Sequence, residues 1–327
     1  MSTQYFENGK LIQNVLGSTG LKVTPLCIGC APLGNMPETF AYEVSEAQAL
    51  DTVRATFNSP INFLDTAYSY GDGESERRIG LVLKEMGNRV PTGYVLASKC
   101  DRSLQTGDFS GKQIRYSIER SLKLLGLNKI QIMHLHDPEH TTFENVMSKG
   151  GPLDVMQQCQ KEGLVEHLGV AGGPIDMEIQ YVETGMFSMV ITHNRYTLLN
   201  RSADPLLTAA KKRGVAVLNA APYGSGMLAK GPSAYPRYAY QQADTDLIDR
   251  AFKMEALCKE YNVPLAAAAL QFSMRDPRVT STIIGYSKPE RIQQTLDLAA
   301  VEIPTELWPK LDALAPDGNG AEENRLY

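Results

Sequence analysis

No stretch of this 327-residue sequence is apolar for long enough to cross a bilayer as a helix, so a membrane partner is not expected. The opening residues MSTQYFENGK lack a cationic segment followed by an apolar one, and no secretory signal is expected there. Cysteine is scarce. The five present, Cys27, Cys30, Cys100, Cys159 and Cys258, are odd in number and thinly spread. That pattern speaks against a disulfide framework and for reduced thiols in a cytoplasmic setting. Excess positive charge is lacking too. Thirty-two Lys and Arg against 37 Asp and Glu leave a net charge of −5, which gives nucleic acid or anionic lipid no electrostatic hold. No low-complexity run, pronounced linker or strong repeat marks a boundary, so residues 1–327 are expected to form one domain. What is present is the balance of a soluble chain with a sizeable core: 43% hydrophobic and 21% charged residues. A cytoplasmic enzyme is the expectation.

Short apolar, β-branched runs recur near Pro25–Gly29, Ile61–Asp65, Tyr94–Lys99, Ile130–His136, Glu166–Ala171, Met189–Asn194, Val215–Asn219 and Ser281–Gly285. Between them, apolar residues recur at three- and four-residue spacing, as in Glu46–Asn58 and Lys112–Leu125. Ser45 and Ser110 precede these two segments as N-caps, and Gly126 closes the second. A strand–helix alternation implies parallel pairing through helical crossovers. Eight such units predict a closed (β/α)8 barrel; a doubly wound open sheet is the alternative topology. Before the first strand, Val15–Val23 reads as a hairpin that caps the barrel floor. The long Gly/Pro/Tyr-rich segment from Tyr223 to Asp244 reads as a lid or binding loop, and Ala321–Tyr327 as a polar tail after Gly-Asn-Gly.

In such a barrel, chemistry gathers at the C-terminal ends of the strands. Reading those ends gives Asp65, Lys99 and His136, with Tyr70 five residues past Asp65. Each alone is an ordinary polar strand terminator; four converging on one rim form a proton-handling set. A free phenol titrates near pH 10 and donates poorly at neutrality, but an adjacent ammonium favours the phenolate. Lys99 is expected to lower the Tyr70 pKa in this way, with Asp65 holding the lysine. His136 is expected to donate a hydrogen bond to a carbonyl oxygen. None of these groups supplies a hydride, so a cofactor is required.

The stretch Asp65-Thr66-Ala67-Tyr68-Ser69-Tyr70-Gly71 resembles the signature of the aldo-keto reductases. The resemblance extends through Leu16–Leu26, Ala97–Lys99, Leu135–Pro138, Ala221–Leu228 and Ile283–Gly285, in the family's order. It implies a (β/α)8 barrel that binds NAD or NADP without a Rossmann domain. It also implies the tetrad Asp65, Tyr70, Lys99 and His136, with Tyr70 as general acid/base. By the same resemblance, Asn194 meets the nicotinamide carboxamide, and Pro222, Tyr223, Gly224, Ser225, Gly226 and Leu228 cover the pyrophosphate. Ile284, Gly285, Ser287, Lys288, Arg291 and Gln294 match the adenosine-binding turn.

The sequence departs from the family pattern at three places. Ala220 stands where many members stack an aromatic ring on the nicotinamide. Ala171-Gly172-Gly173 replaces a Ser-Asn pair, and Gly285 replaces a lysine that often faces the 2′-phosphate of NADP. The last change favours NAD, whereas Lys288 and Arg291 remain as phosphate partners, so the preference stays open. Asp137-Pro138 follows His136 where reductases of hydrophobic carbonyls carry a tryptophan, which implies a polar wall and a polar small-molecule substrate. The segment Lys129–Pro138 resembles the bacterial branch of aldose (D-threo-aldose or L-fucose type) 1-dehydrogenases and pyridoxal 4-dehydrogenase. A sugar oxidised at its anomeric carbon is therefore expected. Reduction of a sugar aldehyde, or of another small aldehyde or ketone including a pyridoxal type, is the alternative. Asp101 and Arg102, just past Lys99, are read with Asp137 as substrate contacts.

Rival readings carry their own tests. A nicotinamide-binding regulatory subunit would quench cofactor fluorescence without turnover, and a barrel aldolase using Lys99 would be trapped by borohydride. His134, His136 and His140 have metal-like spacing, but no second ligand cluster accompanies them, and no metal is expected. Cys27-Ile28-Gly29-Cys30 lies on a strand and reads as structural. A homo-oligomer is left open.

Overall fold

The structure, a computed structural model, describes residues 4–315. The polar tail Ala321–Tyr327 and the Gly-Asn-Gly before it lie outside the described residues. Eight parallel strands close into a barrel: β1 (Leu26–Gly29), β2 (Phe63–Asp65), β3 (Val95–Cys100), β4 (Ile130–His136), β5 (Val165–Ala171), β6 (Met189–His193), β7 (Ala216–Ala220) and β8 (Val279–Gly285). Each strand pairs with its chain neighbour, and β8 returns to β1 through Thr282–Leu26 and Gly285–Gly29. Closure removes both sheet edges and rules out the open doubly wound sheet.

The helices on the outside form for the local reasons visible in the chain. Ser45 caps Glu46–Thr56 by accepting from the Gln48 N–H, and Ser110 caps Gly111–Leu125 by accepting from the Gln113 N–H. Gly126 ends the latter in the left-handed region, at φ 67°. The first helix stops at Thr56, two residues before the expected Asn58. There the Asn58 side chain takes the Arg54 carbonyl at 2.9 Å, and Ser59-Pro60 cannot continue the helical backbone.

Strand alternation sorts the side chains into an outer layer under the helices and an inner column. The inner column holds Phe63, Val95, Ala97, Ile132, Met189, Ile191, Ala216, Leu218 and Ile283. Its lower end is closed by Leu16 and Val23 of the expected hairpin, whose strands are Asn14–Val15 and Lys22–Val23. Gly17 is required at this seam. Its φ is +52°, and a Cβ there would stand 2.3 Å from the Ser188 carbonyl oxygen. A second hairpin, Phe6–Glu7 with Lys10–Leu11, precedes the first and turns on Asn8-Gly9, both at positive φ.

The long segment after β7 is ordered. Short helical turns at Gly224–Gly226 and Met227–Lys230 lead to a hairpin, Arg237–Tyr238 with Gln241–Gln242. Cys27 and Cys30 are buried free thiols on and just after β1. Among the described residues, no helix is long and apolar enough to cross a membrane.

Asn62 stitches the floor to the barrel. Its Oδ1 accepts from the Thr24 N–H at 2.8 Å, and its Nδ2 donates to the carbonyls of Lys22 (3.0 Å) and Gly93 (2.9 Å). Truncating Asn62 leaves the buried Thr24 N–H without its partner, a cost of about 1–3 kcal/mol. Asn62→Ala is expected to lower the denaturant midpoint measurably, and an unmoved midpoint in urea would dismiss this role.

Candidate active site

Barrel alternation brings the upper inward-facing residues of several strands together: Gly29, Asp65, Lys99, Ala171, His193, Ala220 and Gly285. Above them opens a cavity of about 700 Å³ whose floor carries Asp65, Tyr70, Lys99 and His136. Lys99 is 2% exposed, and its ammonium uses three donors on three acceptors. These are Asp65 Oδ2 at 2.5 Å, the Thr66 carbonyl at 2.8 Å and the Tyr70 hydroxyl at 3.0 Å. Burial opposes the charge on Lys99, but Asp65 and Tyr70 outweigh it and hold the lysine above its ordinary pKa.

Tyr70 differs from expectation. Burial pushes its phenol well up, Lys99 pulls the other way without overcoming it, and Asp65 adds a further upward push. The lysine tempers the phenol's acidity loss but does not produce a phenol poised near neutrality. The reason is solvation: the same wall that buries Lys99 also removes water from Tyr70.

His136 stands opposite, its ring edge-on to that of Tyr70 with centroids 6.1 Å apart. Its Nδ1 lies 2.7 Å from Asp101 Oδ2 and 3.3 Å from Ser69 Oγ, and its Nε2 lies 3.5 Å from Asp137 Oδ1. Asp137 lines the cavity, as a substrate contact requires, and holds a left-handed backbone at φ 44°. Asp101 does not line it. It is 1% exposed and bonded to His136, so its place is behind the imidazole rather than against substrate. Arg102 pairs with Asp101 at 3.4 Å and is likewise absent from the cavity wall.

Beneath this layer, His134 fills a niche that Gly169 leaves open, where a Cβ would stand 2.3 Å from His134 Nδ1. Burial, then Lys99, pushes His134 far down, so it sits there neutral. Among the described residues, the groups whose ligand atoms approach within 4.8 Å of one another are Asp101, His136 and Asp137, not the three histidines. The Asp101–His136 hydrogen bond already accounts for that proximity.

The cofactor residues divide. Asn194 is fully buried with φ 57°, and its Oδ1 accepts from Ser225 Oγ at 3.1 Å, so it misses the cavity. His193, one residue earlier and in phase with Met189 and Ile191, reaches it instead. Period-two counting along β6 from Met189 and Ile191 is the signal that would have pointed to it. Pro222, Tyr223, Gly224 and Leu228 are buried, while Ser225 and Gly226 are half-buried on the same loop. Gly285 lines the cavity, and the Ile284 side chain packs outward into the outer core. The Ser287 carbonyl accepts from Gln48 Nε2, Arg291 reaches Gln294, and Lys288 is exposed.

Three further features were not read from the sequence. Tyr240 stacks on His193 (centroids 5.6 Å, 17°) and meets Phe40 edge-on, so an aromatic wall faces the tetrad. Apolar Met36, Leu104 and Ile283 join that wall beside polar Glu38, Thr39 and Asp137, which makes the lining mixed rather than polar. Lys230 is pushed down by burial and then by Arg291 and Arg237, which shows that three cations crowd together beyond the barrel rim. The Tyr223 hydroxyl, buried without a partner, feels the Arg291 charge nearby. A cavity ending on the tetrad, with a cationic cluster past β7 and β8, fits a dinucleotide laid across the rim.

The family model for the aldo/keto reductase family matches residues 25–316. The chain is 29% identical over 320 residues to a D-threo-aldose 1-dehydrogenase of a Pseudomonas species, covering 90% of this chain and 94% of the relative. It is 31% identical over 292 residues to L-galactose dehydrogenase of Arabidopsis thaliana, covering 88% of each. It is 29% identical over 336 residues to pyridoxal 4-dehydrogenase of Microbacterium luteolum, covering 91% and 96%. The chain belongs to the aldo/keto reductase family and is an oxidoreductase that works with NAD or NADP.

Proposed function

We propose that this enzyme transfers a hydride between a nicotinamide cofactor and the carbonyl or lactol carbon of a small polar substrate. Tyr70 acts as general acid/base, and a sugar oxidised at its anomeric carbon is the favoured substrate. The observation that carries this reading is the Tyr70 hydroxyl 3.0 Å from Lys99 Nζ, itself fixed on Asp65, with His136 facing the same space. The sugar reading draws on two relatives named for sugar oxidation and on hydroxyl-binding groups in the wall, namely Asp137, Thr39, Glu38 and His193. Phe40 and Tyr240 favour a second reading, because their rings offer a stacking surface to a planar pyridoxal-type aldehyde.

The bound nicotinamide supplies or takes the hydride. Lys288, Arg291, Lys230 and Arg237 would hold the cofactor's phosphates, and Ala220 and His193 would border its reacting end. On the protein side, the Tyr70 hydroxyl passes its proton to the substrate oxygen during reduction, leaving a phenolate. The ammonium 3.0 Å away lowers the energy of that phenolate relative to one in an apolar pocket. In oxidation the same pair runs backwards, with Tyr70 taking the hydroxyl proton. Asp65 keeps the ammonium in place and satisfies its charge, so the lysine's field is present before substrate arrives.

Tyr70→Phe removes the transferable proton while preserving the ring's packing. Turnover is expected to fall by roughly 10²- to 10⁴-fold, with cofactor affinity by fluorescence quenching little changed. Full turnover in that variant would remove Tyr70 from the mechanism. Arg291→Ala and Lys288→Ala should weaken NADP more than NAD if these side chains reach the 2′-phosphate. Titrating both cofactors against each variant decides it, since equal losses point to the shared pyrophosphate.

A further inference from the structure

The reading of His136 as a partner of the substrate oxygen leaves the acid behind its ring, Asp101, without a task. Asp101 follows β3 directly and is held on every side. Its N–H donates to Ser117 Oγ (3.1 Å), and its own carbonyl accepts from Gln113 Nε2 (3.3 Å). Its Oδ1 accepts from the Arg102 N–H at 2.7 Å, and its Oδ2 lies 2.7 Å from His136 Nδ1. Burial opposes the charge on Asp101, yet His136, then Arg102, hold its carboxyl below the ordinary range. A carboxylate has only acceptors, so the hydrogen of this bond must sit on the imidazole.

We propose that Asp101 is a positioning residue that fixes a proton on Nδ1 of His136, leaving Nε2 as the nitrogen that titrates toward the cavity. The consequence is a change of role with charge. The imidazolium carries a hydrogen on Nε2 and donates it to a substrate carbonyl oxygen. The neutral ring offers a lone pair at Nε2 and accepts from a substrate hydroxyl. With no acceptor behind Nδ1, the neutral ring could carry its single hydrogen on Nε2 and donate to a carbonyl in either state. The charge on His136 thereby selects between carbonyl and alcohol.

The groups facing His136 come from four directions. Asp101 and Lys99 belong to β3 and its extension, with Arg102 beside them. Asp137, Glu139 and His134 belong to β4 and the turn that follows, Asp65 to β2, and Tyr70 and Ser69 to the loop beyond it. Burial and Lys99 disfavour the imidazolium, but Asp137 and Asp101 prevail and raise its pKa above the ordinary histidine value. Reduction is therefore expected to be supported at low pH and lost as pH rises through that raised value, with oxidation gained over the same range.

The direct test is ¹⁵N NMR of the full chain labelled at histidine, with His136→Gln used to assign the signal. The neutral ring should show Nδ1 protonated and Nε2 bare; the opposite tautomer would overturn the proposal whether or not any substrate turns over. Asp101→Asn keeps the shape and an oxygen acceptor for the Nδ1 hydrogen but removes the charge. It should lower the His136 titration by about one pH unit or more and move the reduction limb of the kcat profile down with it. At neutral pH it should cut reductive kcat roughly tenfold, with KM for the cofactor nearly unchanged. An unmoved titration and an unmoved limb would also overturn it. Should the variant fail to fold, the tautomer in the unaltered protein still decides. A failed Tyr70 assignment shows itself separately, in the turnover of Tyr70→Phe.

Discussion

A lysine ammonium with almost no contact to water is the constraint around which the rest is arranged. Lys99 is stable as a cation only because three acceptors meet its three hydrogens, and each comes from a different piece of backbone geometry. Asp65 must end β2 pointing inward, the Thr66 carbonyl must turn over the barrel rim, and Tyr70 must fold back from the loop. The barrel meets the first demand by strand alternation and the others by a short turn that bonds Thr66 N–H to Ala97 and Tyr68 N–H to Lys99. Removing any acceptor would leave a buried ammonium short of a partner, a larger penalty than losing an equivalent surface pair. The same dryness lifts the Tyr70 phenol, so the ion pair and the reluctant acid share one cause.

Backbone strain collects at the same rim. Asp137, Asn194, Ala221, Ser225, Ala239 and Tyr240 all hold left-handed conformations, each costing about 1 kcal/mol or more for a non-glycine residue. They follow β4, β6 and β7 or sit in the loop beyond β7, where the chain must leave a strand and still present a side chain or carbonyl to the cavity. Tyr240 shows how such a conformation is held: its ring lies between His193 and Phe40 while the hairpin brings Ala239 N–H onto the Gly224 carbonyl. By contrast the barrel floor, closed by Leu16 and Val23, is ordinary apolar packing with its tight turn assigned to a glycine.

Period-two alternation, turn residues and helix caps made the eight strands, the floor hairpin and the convergence of Asp65, Tyr70, Lys99 and His136 legible, because those signals are local and strong. The misplacements share a different character. Asn194 was taken for the cavity residue where His193 stands, a one-residue error at a strand end, and one residue is enough to flip a side chain from the barrel interior to its wall. Asp101 was read as a substrate contact because its partner lies on another strand, 35 residues away, and no spacing rule reports that distance. The direction of the Tyr70 shift was misjudged because charge is written in the sequence and desolvation is not. The Phe6–Leu11 hairpin was not read, although Asn8-Gly9 marked its turn.

The two proton-handling arms start from the end of one strand. Lys99 near the end of β3 touches the phenol, and Asp101, just past the strand, touches the imidazole, so both are set by where β3 ends. Their electrostatic characters are opposite. The cation on Lys99 is held by a dedicated carboxylate and stays constant, whereas the charge on His136 balances two carboxylates against burial and Lys99 and is free to change with pH. A permanent cation beside Tyr70 serves both reaction directions equally, since it stabilises the same phenolate whichever way the hydride moves. Any bias between directions must then come from the other arm, where a carboxylate behind the ring decides which nitrogen the substrate meets.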